Sequence, residues 1–205
     1  MTIGDDLKAT FEEVGAAFTV IRDAGNLTGD YLDYELNRQV TKPFIREYFL
    51  EASVGHDVDV VAGDVVQIDT LGKQYLVMNL TSDMFENATI SKEVVLYKSN
   101  VSGELLRFSG EGWDSDYRHR QQWDTQKSDA YGLLTEKLFG TDLTQDEELG
   151  QMGLEASVLY LPNSYGAKAL DRYEYTSGEF LKIEVVEKRK FDRVDACHVT
   201  EDTRE

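Results

Sequence analysis

From residue 63 onward the chain breaks into short runs of β-branched and aromatic residues, each ended by a turn-forming cluster. Gly63-Asp64-Val65-Val66-Gln67-Ile68-Asp69 reads as a strand, Thr70-Leu71-Gly72-Lys73 as a turn, and Gln74-Tyr75-Leu76-Val77-Met78-Asn79 as the returning strand. Such side chains suit a pleated, half-buried surface, and a short glycine-bearing connection closes it into a β-hairpin. Val94-Val95-Leu96-Tyr97-Lys98 and Glu104-Leu105-Leu106-Arg107-Phe108 extend the pattern across Asn100-Val101-Ser102-Gly103. Val158-Leu159-Tyr160-Leu161, residues 169–175, residues 180–186 and residues 196–199 supply further strands. The expected fold is mostly β: an antiparallel barrel or sandwich with an N-terminal amphipathic helix and a long inserted loop.

One internal echo stands out. Asp64 follows the apolar Val60-Val61, begins a strand, and precedes a Gly72 turn and Tyr75-Leu76-Val77. Asp171 follows Ala169-Leu170, begins a strand, and precedes a Gly178 turn and Phe180-Leu181-Lys182-Ile183. Two similar hairpins suggest a duplicated β-unit.

The N-terminal helix is predicted over residues 5–20. Leu7, Phe11, Val14, Phe18 and Ile21 recur at spacings of three and four, with Asp6, Lys8, Glu12 and Glu13 on the other face. Asp5 and Asp6 suit the helix start, where the dipole favours negative charge. The chain is therefore divided into a helix and loop at 1–30, a first β part at 31–110, an insertion at 111–156, and a C-terminal β part at 157–205 that completes the barrel. The insertion sets Trp113, Tyr117, Trp123 and Tyr131 among polar residues without sustained periodicity. It also holds the acidic run Asp142-Leu143-Thr144-Gln145-Asp146-Glu147-Glu148. A connection this long inside a compact domain is uncommon and is usually either functional or poorly ordered alone.

Acidic residues number 39 against 21 basic ones, for a formal charge of -18. That balance opposes a basic groove gripping nucleic acid by counterion release. By composition alone it is first a device that keeps a protein soluble; it also suits a channel through which DNA slides without sticking, since like charges repel. No apolar run approaches the roughly 20 residues of a spanning helix, so no membrane partner is expected. The acidic N-terminus lacks the basic and apolar regions of a signal peptide, so synthesis in the cytoplasm is expected. Asn26, Asn79, Asn87 and Asn100 head Asn-x-Ser/Thr sequons; beside a single cysteine and no signal sequence, they read as turn chemistry rather than glycan acceptors.

Motifs for catalysis are absent from the sequence. His56, His119 and His198 have no metal-ligand partner at helical or strand spacing, and adjacent Cys197 and His198 point to opposite faces of a strand. Asp114-Ser115-Asp116 opens like a calcium loop, but His119 stands where glycine is needed and Thr125 where the closing glutamate is needed. There is no phosphate-cradling loop, nucleophile elbow or HExxH. The expectation is no enzyme, no cofactor and no metal. Arg118, His119 and Arg120 are read as the one compact basic spot, and as an internal partner for acidic loops rather than a DNA contact.

Asp171-Arg172-Tyr173, the hairpin Gly178-Glu179-Phe180-Leu181-Lys182-Ile183-Glu184, Val186 and the final strand before Glu201-Asp202-Thr203-Arg204 resemble the β-barrel head-closure (stopper or connector) proteins of tailed bacteriophages. Residues 63–77 have the same look, and Leu96-Tyr97-Lys98-Ser99-Asn100 is similar to a strand that often follows. Thr41-Lys42-Pro43-Phe44-Ile45-Arg46-Glu47 and Asn100-Val101-Ser102-Gly103-Glu104-Leu105-Leu106 are also similar to phage virion proteins. The resemblance covers about half the chain, which is longer by its helix and insertion. It implies a virion protein that forms a homo-oligomeric ring in the head–tail neck. The implied partners are copies of itself, the portal or adaptor and tail proteins, and genomic DNA passing without sequence-specific binding. Asp142, Asp146, Glu147, Glu148, Trp113 and Trp123 are the candidate channel or interface residues. The alternatives are a tail-tube, tail-terminator or decoration protein, a cytosolic β-rich domain that stacks a ligand on its tryptophans, and a hydrolase with unrecognised carboxylates.

Overall fold

The computed structural model describes residues 2–35, 49–113, 117, 119–136 and 157–204. It is mostly β, with one α-helix and one 3-10 turn among those residues. No helix among them is long and apolar enough to cross a membrane.

Helix α1 spans Ile3–Val14. Thr2 caps it: its hydroxyl accepts from the Asp5 amide at 3.2 Å while the Asp5 carboxylate accepts from the Thr2 amide at 2.8 Å. This reciprocal pairing satisfies two otherwise orphaned donors. The helix is shorter than predicted. It stops at Gly15, and Phe18, Val20 and Ile21 belong to strand β1, Ala16–Ile21. Thr19-Val20-Ile21 is a β-branched run that loses rotamer freedom in a helix and packs well on a sheet.

Strands β2 (Leu27–Glu35), β3 (Phe49–Gly55), β4 (Val65–Ile68), β5 (Lys73–Phe85) and β6 (Ala88–Lys98) join β1. They close into an antiparallel barrel in the order β1-β2-β3-β6-β5-β4. Its core holds Phe18, Val20, Leu32, Leu50, Val66, Ile68, Val77 and Leu96. Burying each large aliphatic side chain contributes about 1.5–3 kcal/mol.

Strands β7 (Val101–Trp113), β8 (His119–Glu136), β9 (Ser157–Pro162), β10 (Arg172–Thr176), β11 (Glu179–Phe191) and β12 (Val194–Glu201) form a second closed barrel. Its order is β7-β8-β9-β12-β11-β10, the first barrel repeated strand for strand. Leu105, Leu159, Leu161, Tyr173, Ile183 and Cys197 make its core. The Tyr173 hydroxyl donates to the Ala130 carbonyl at 2.6 Å, so its polar end is satisfied inside.

The chain separates into Met1–Ser99 with Phe191–Val194, and Asn100–Lys190 with Asp195–Glu205. The main division thus falls at residue 99, rather than at 110, and residues 157–205 complete a barrel begun at β7. Strand β7 pairs with β8 and β10, not with β6. Nearly all of the described part of the predicted insertion is strand as well: β7 runs to Trp113 and β8 covers His119–Glu136. Register shifts between Gly103 and Leu105, Leu105 and Leu106, and Phe108 and Gly110 break the two-residue alternation that marks a strand. Residues 36–48 and 137–156 lie outside the described residues; each falls between the second and third strand of its repeat.

The echo of the two hairpins reaches backbone detail. Ile21 pairs with Val65 on β1 and β4, and Leu106 pairs with Arg172 on β7 and β10. The next residues along, Arg22 and Arg107, therefore meet Asp64 and Asp171 at equivalent places. Arg22 donates to both Asp64 oxygens at 2.9 and 2.6 Å and to the Asp59 carbonyl at 2.8 Å. Arg107 donates to both Asp171 oxygens at 2.9 and 2.7 Å and to the Gly166 carbonyl at 2.8 Å. Each aspartate also accepts the amide three residues before it, Val61 or Lys168, at 2.9 Å. The paired carboxylates hold both guanidiniums further above their ordinary range. These clamps tie the loop before the fourth strand to the first strand of each repeat.

Candidate assembly surfaces

A closed barrel pairs its backbone groups around the ring and leaves no edge for another strand to join. Contacts with other molecules then rest on side chains and on whatever projects from the barrels. Strands β5, β7 and β11 each have 13 residues and β8 has 18, whereas β4 has four and β9 six. At about 3.3 Å per residue a 13-residue strand runs about 40 Å. The surplus makes hairpin arms.

On the β5–β6 arm, residues 81–88 are all exposed. Its tip turns at Glu86 and Asn87, with φ of 48° and 66°. Met84 and Phe85 beside that turn are 59% and 48% exposed. Exposed apolar side chains at the end of an arm are costly in water and valuable in a contact.

The β7–β8 arm pairs Trp113 with His119 at its end. Trp113 is 71% exposed and Tyr117, in the connection, is 86% exposed. Trp123 sits differently. Its ring meets Phe108 edge-on at 5.8 Å, and the guanidiniums of Arg172 and Arg204 lie 4.1 and 4.9 Å from its centre. Both arginines grip Asp202, at 2.7 Å from Arg172 Nε and 2.8 Å from Arg204 Nε. Arg172 also donates to the Arg204 carbonyl. Burial alone would raise the Asp202 carboxyl, but hydrogen bonds from Arg204 and Arg172 outweigh it and hold it well below the usual range. Trp123 is thus part of the latch that fixes residues 202–204 to the second barrel. Asp142, Asp146, Glu147 and Glu148 lie outside the described residues.

Three further features escaped the sequence reading. Lys188, Arg189 and Lys190 are consecutive and exposed on β11; this run was readable as a basic spot inside an acidic chain. The Arg22–Asp64 and Arg107–Asp171 pairs were not, because 42 and 64 residues separate the partners. Asp195 is 1% exposed and both its carboxylate oxygens lack a hydrogen-bond partner. Burial raises its pKa, only partly offset by Lys188.

The remaining titratable groups are structural in setting. Cys197 is fully buried, and burial together with the neighbouring Asp195 charge pushes its thiol up to about 12. His198, on the other face of β12, pairs with Glu187 at 2.9 Å. The Asn100 side chain bridges the backbone of Leu134, donating at 2.8 Å and accepting at 2.7 Å, which gives that amide a structural use. A concavity beside α1, lined by Lys8, Phe11, Asp30 and Tyr31 among others, has room for about one water molecule.

No family model matches the chain, and no curated protein does. Among solved structures, the K. pneumonia MrkH–c-di-GMP complex aligns over 98% of this chain and 86% of its own, at 6% identity and a TM-score of 0.16. A likeness that distant assigns neither fold nor function.

Proposed function

We propose that this chain is a structural component of a tailed-phage virion that forms a homo-oligomeric ring in the neck between head and tail. What carries the reading is the pair of hairpin arms that leave closed barrels and end in exposed Met84, Phe85, Trp113 and Tyr117. Aromatic and methionine side chains at such positions are frequent anchors of protein interfaces. The barrels supply rigid bodies, and the arms supply contact surface that a lone copy leaves in water.

The acidic balance supports the same reading. A ring that surrounds DNA has to pass a polyanion without holding it, and a charge of -18 per chain discourages adhesion. Copies of the chain, the portal or adaptor on one side and tail proteins on the other are the partners of this proposal. Asp142, Asp146, Glu147 and Glu148 remain the proposed channel or interface carboxylates.

Sedimentation of the purified chain, with electron microscopy of large species, tests the ring. Rings with a central opening are expected, alone or on added portal, and Trp113→Ala with Phe85→Ala should weaken them. A chain that stays monomeric even with portal and tail present would overturn the proposal. Saturable binding of a small ligand by that monomer would favour the ligand-binding alternative. The same arms would serve a tail tube or terminator, which location of the chain within particles separates from a neck ring.

A further inference from the structure

Two surfaces of opposite charge bear on how copies would meet. The first is the C-terminal part of β11, where Lys188, Arg189 and Lys190 follow one another, all exposed. Successive strand residues point to opposite faces, so both faces of the hairpin carry positive charge there. Exposed Val185, at 53%, adds an apolar contact nearby.

The second is the last turn of α1. Glu12 and Glu13 are exposed, and no basic residue stands in that turn. A helix C-terminus carries partial negative charge from its unpaired carbonyls and favours cations. Two glutamates there oppose their own helix. Val14 beside them is 71% exposed. A cationic surface with an apolar neighbour, brought by another molecule, would turn both penalties into attraction.

We propose that the exposed basic run Lys188-Arg189-Lys190 on β11 of one copy docks on the acidic C-terminal turn of α1 of a second copy. The proposal rests on the ring reading above and specifies which two surfaces meet. Because the surfaces differ, the contact is head-to-tail and repeats around a ring if the rotation closes. Charge complementarity selects a second copy of this chain: the chain's own excess acid repels DNA, while every neighbouring copy presents the acidic turn.

The test uses the full chain in sedimentation velocity at low and high ionic strength. Self-association is expected to weaken with salt. Lys188→Glu with Arg189→Glu should weaken it by about tenfold or more, and Glu12→Lys with Glu13→Lys should do the same. Mixing the two charge-reversed proteins should restore association to within about threefold of the original, because every contact is complementary again. The helix variant keeps the test decisive if the strand variant folds poorly, since lysines in the last turn favour the helix. Association that survives both reversals overturns this contact and leaves the ring reading standing. A chain that never associates, with portal and tail added, overturns both. Retention of duplex DNA that is lost in Lys188→Glu/Arg189→Glu, with no association of copies, assigns the basic surface to nucleic acid and also overturns it.

Discussion

Arg107 grips both carboxylate oxygens of Asp171, at 2.9 and 2.7 Å, across 64 residues of chain. The same grip, in the same register, joins Arg22 to Asp64 in the first barrel. The aspartates are nearly buried, with side chains 4% and 9% exposed, while the arginines are 28% and 26% exposed. Two-pronged pairs of this kind combine hydrogen-bond direction with charge.

Asp171→Asn and Asp64→Asn should each destabilise the fold by about 2–3 kcal/mol, below the roughly 3–5 kcal/mol for breaking fully buried pairs because the arginines stay partly hydrated. The clamps lie in separate cores and share no partner, so the double variant should lose the sum to within about 0.5 kcal/mol. Urea unfolding of the four proteins checks both statements. Strong non-additivity would show that the two clamps are energetically coupled rather than independent.

Asp202 should govern an acid limb of stability. Its folded carboxyl lies below its unfolded value because of the hydrogen bonds from Arg204 and Arg172. As pH falls, the unfolded chain takes up the proton first. The stabilisation is therefore complete above the ordinary carboxylate range, about pH 4, and is lost as pH drops through the folded value. Asp202→Asn should cost about 3 kcal/mol at pH 7 and flatten the acid limb. Thermal unfolding from pH 2 to 7 would expose a parallel loss in both proteins if the assignment is wrong.

Asp195 should act with the opposite sign. Burial raises its folded carboxyl above the unfolded value. The folded protein then keeps the proton longer, so stability from this group is full below about pH 4 and declines as pH rises through the folded value. Asp195→Asn should gain about 1–2 kcal/mol at pH 8 by removing an unpaired buried charge, and should remove that decline. An Asn variant less stable than the parent at pH 8 would point to a hidden cationic partner.

Gly63 and Leu170 occupy equivalent places with φ of 84° and 73°. Each amide donates across its hairpin, Gly63 to Val77 at 2.8 Å and Leu170 to Ile183 at 2.7 Å. A Cβ on Gly63 would stand 2.2 Å from the Arg193 carbonyl oxygen. Leu170 instead extends into solvent, 58% exposed. Gly63→Ala should therefore cost more than about 2 kcal/mol, while Leu170→Gly should stay within about 1 kcal/mol of neutral. Chemical unfolding of both variants decides the matter; a Gly63→Ala loss no larger than a gain from Leu170→Gly would place the strain in the shared backbone conformation alone.

The sequence by itself determined the local elements. Alternation with glycine turns at Gly72 and Gly178 marked the hairpins, because strand period and turn dihedrals are properties of a few neighbouring residues. Asp64 and Asp171 announced the duplication for the same reason, each opening a similar local pattern. Asp5 and Asp6 marked the start of α1, but its end escaped, since Phe18 and Ile21 fit a helical spacing as well as a strand. Tertiary structure decided the rest. Which strand pairs with which depends on backbone groups that are chemically alike everywhere, and burial against a shared core settles the choice. That is why β7 turned out to open a second barrel rather than extend the first, and why Arg22 and Arg107 found their aspartates unannounced. The arms follow from the same cause: only once each barrel closes does it become clear that Met84, Phe85 and Trp113 lie on hairpin ends beyond it.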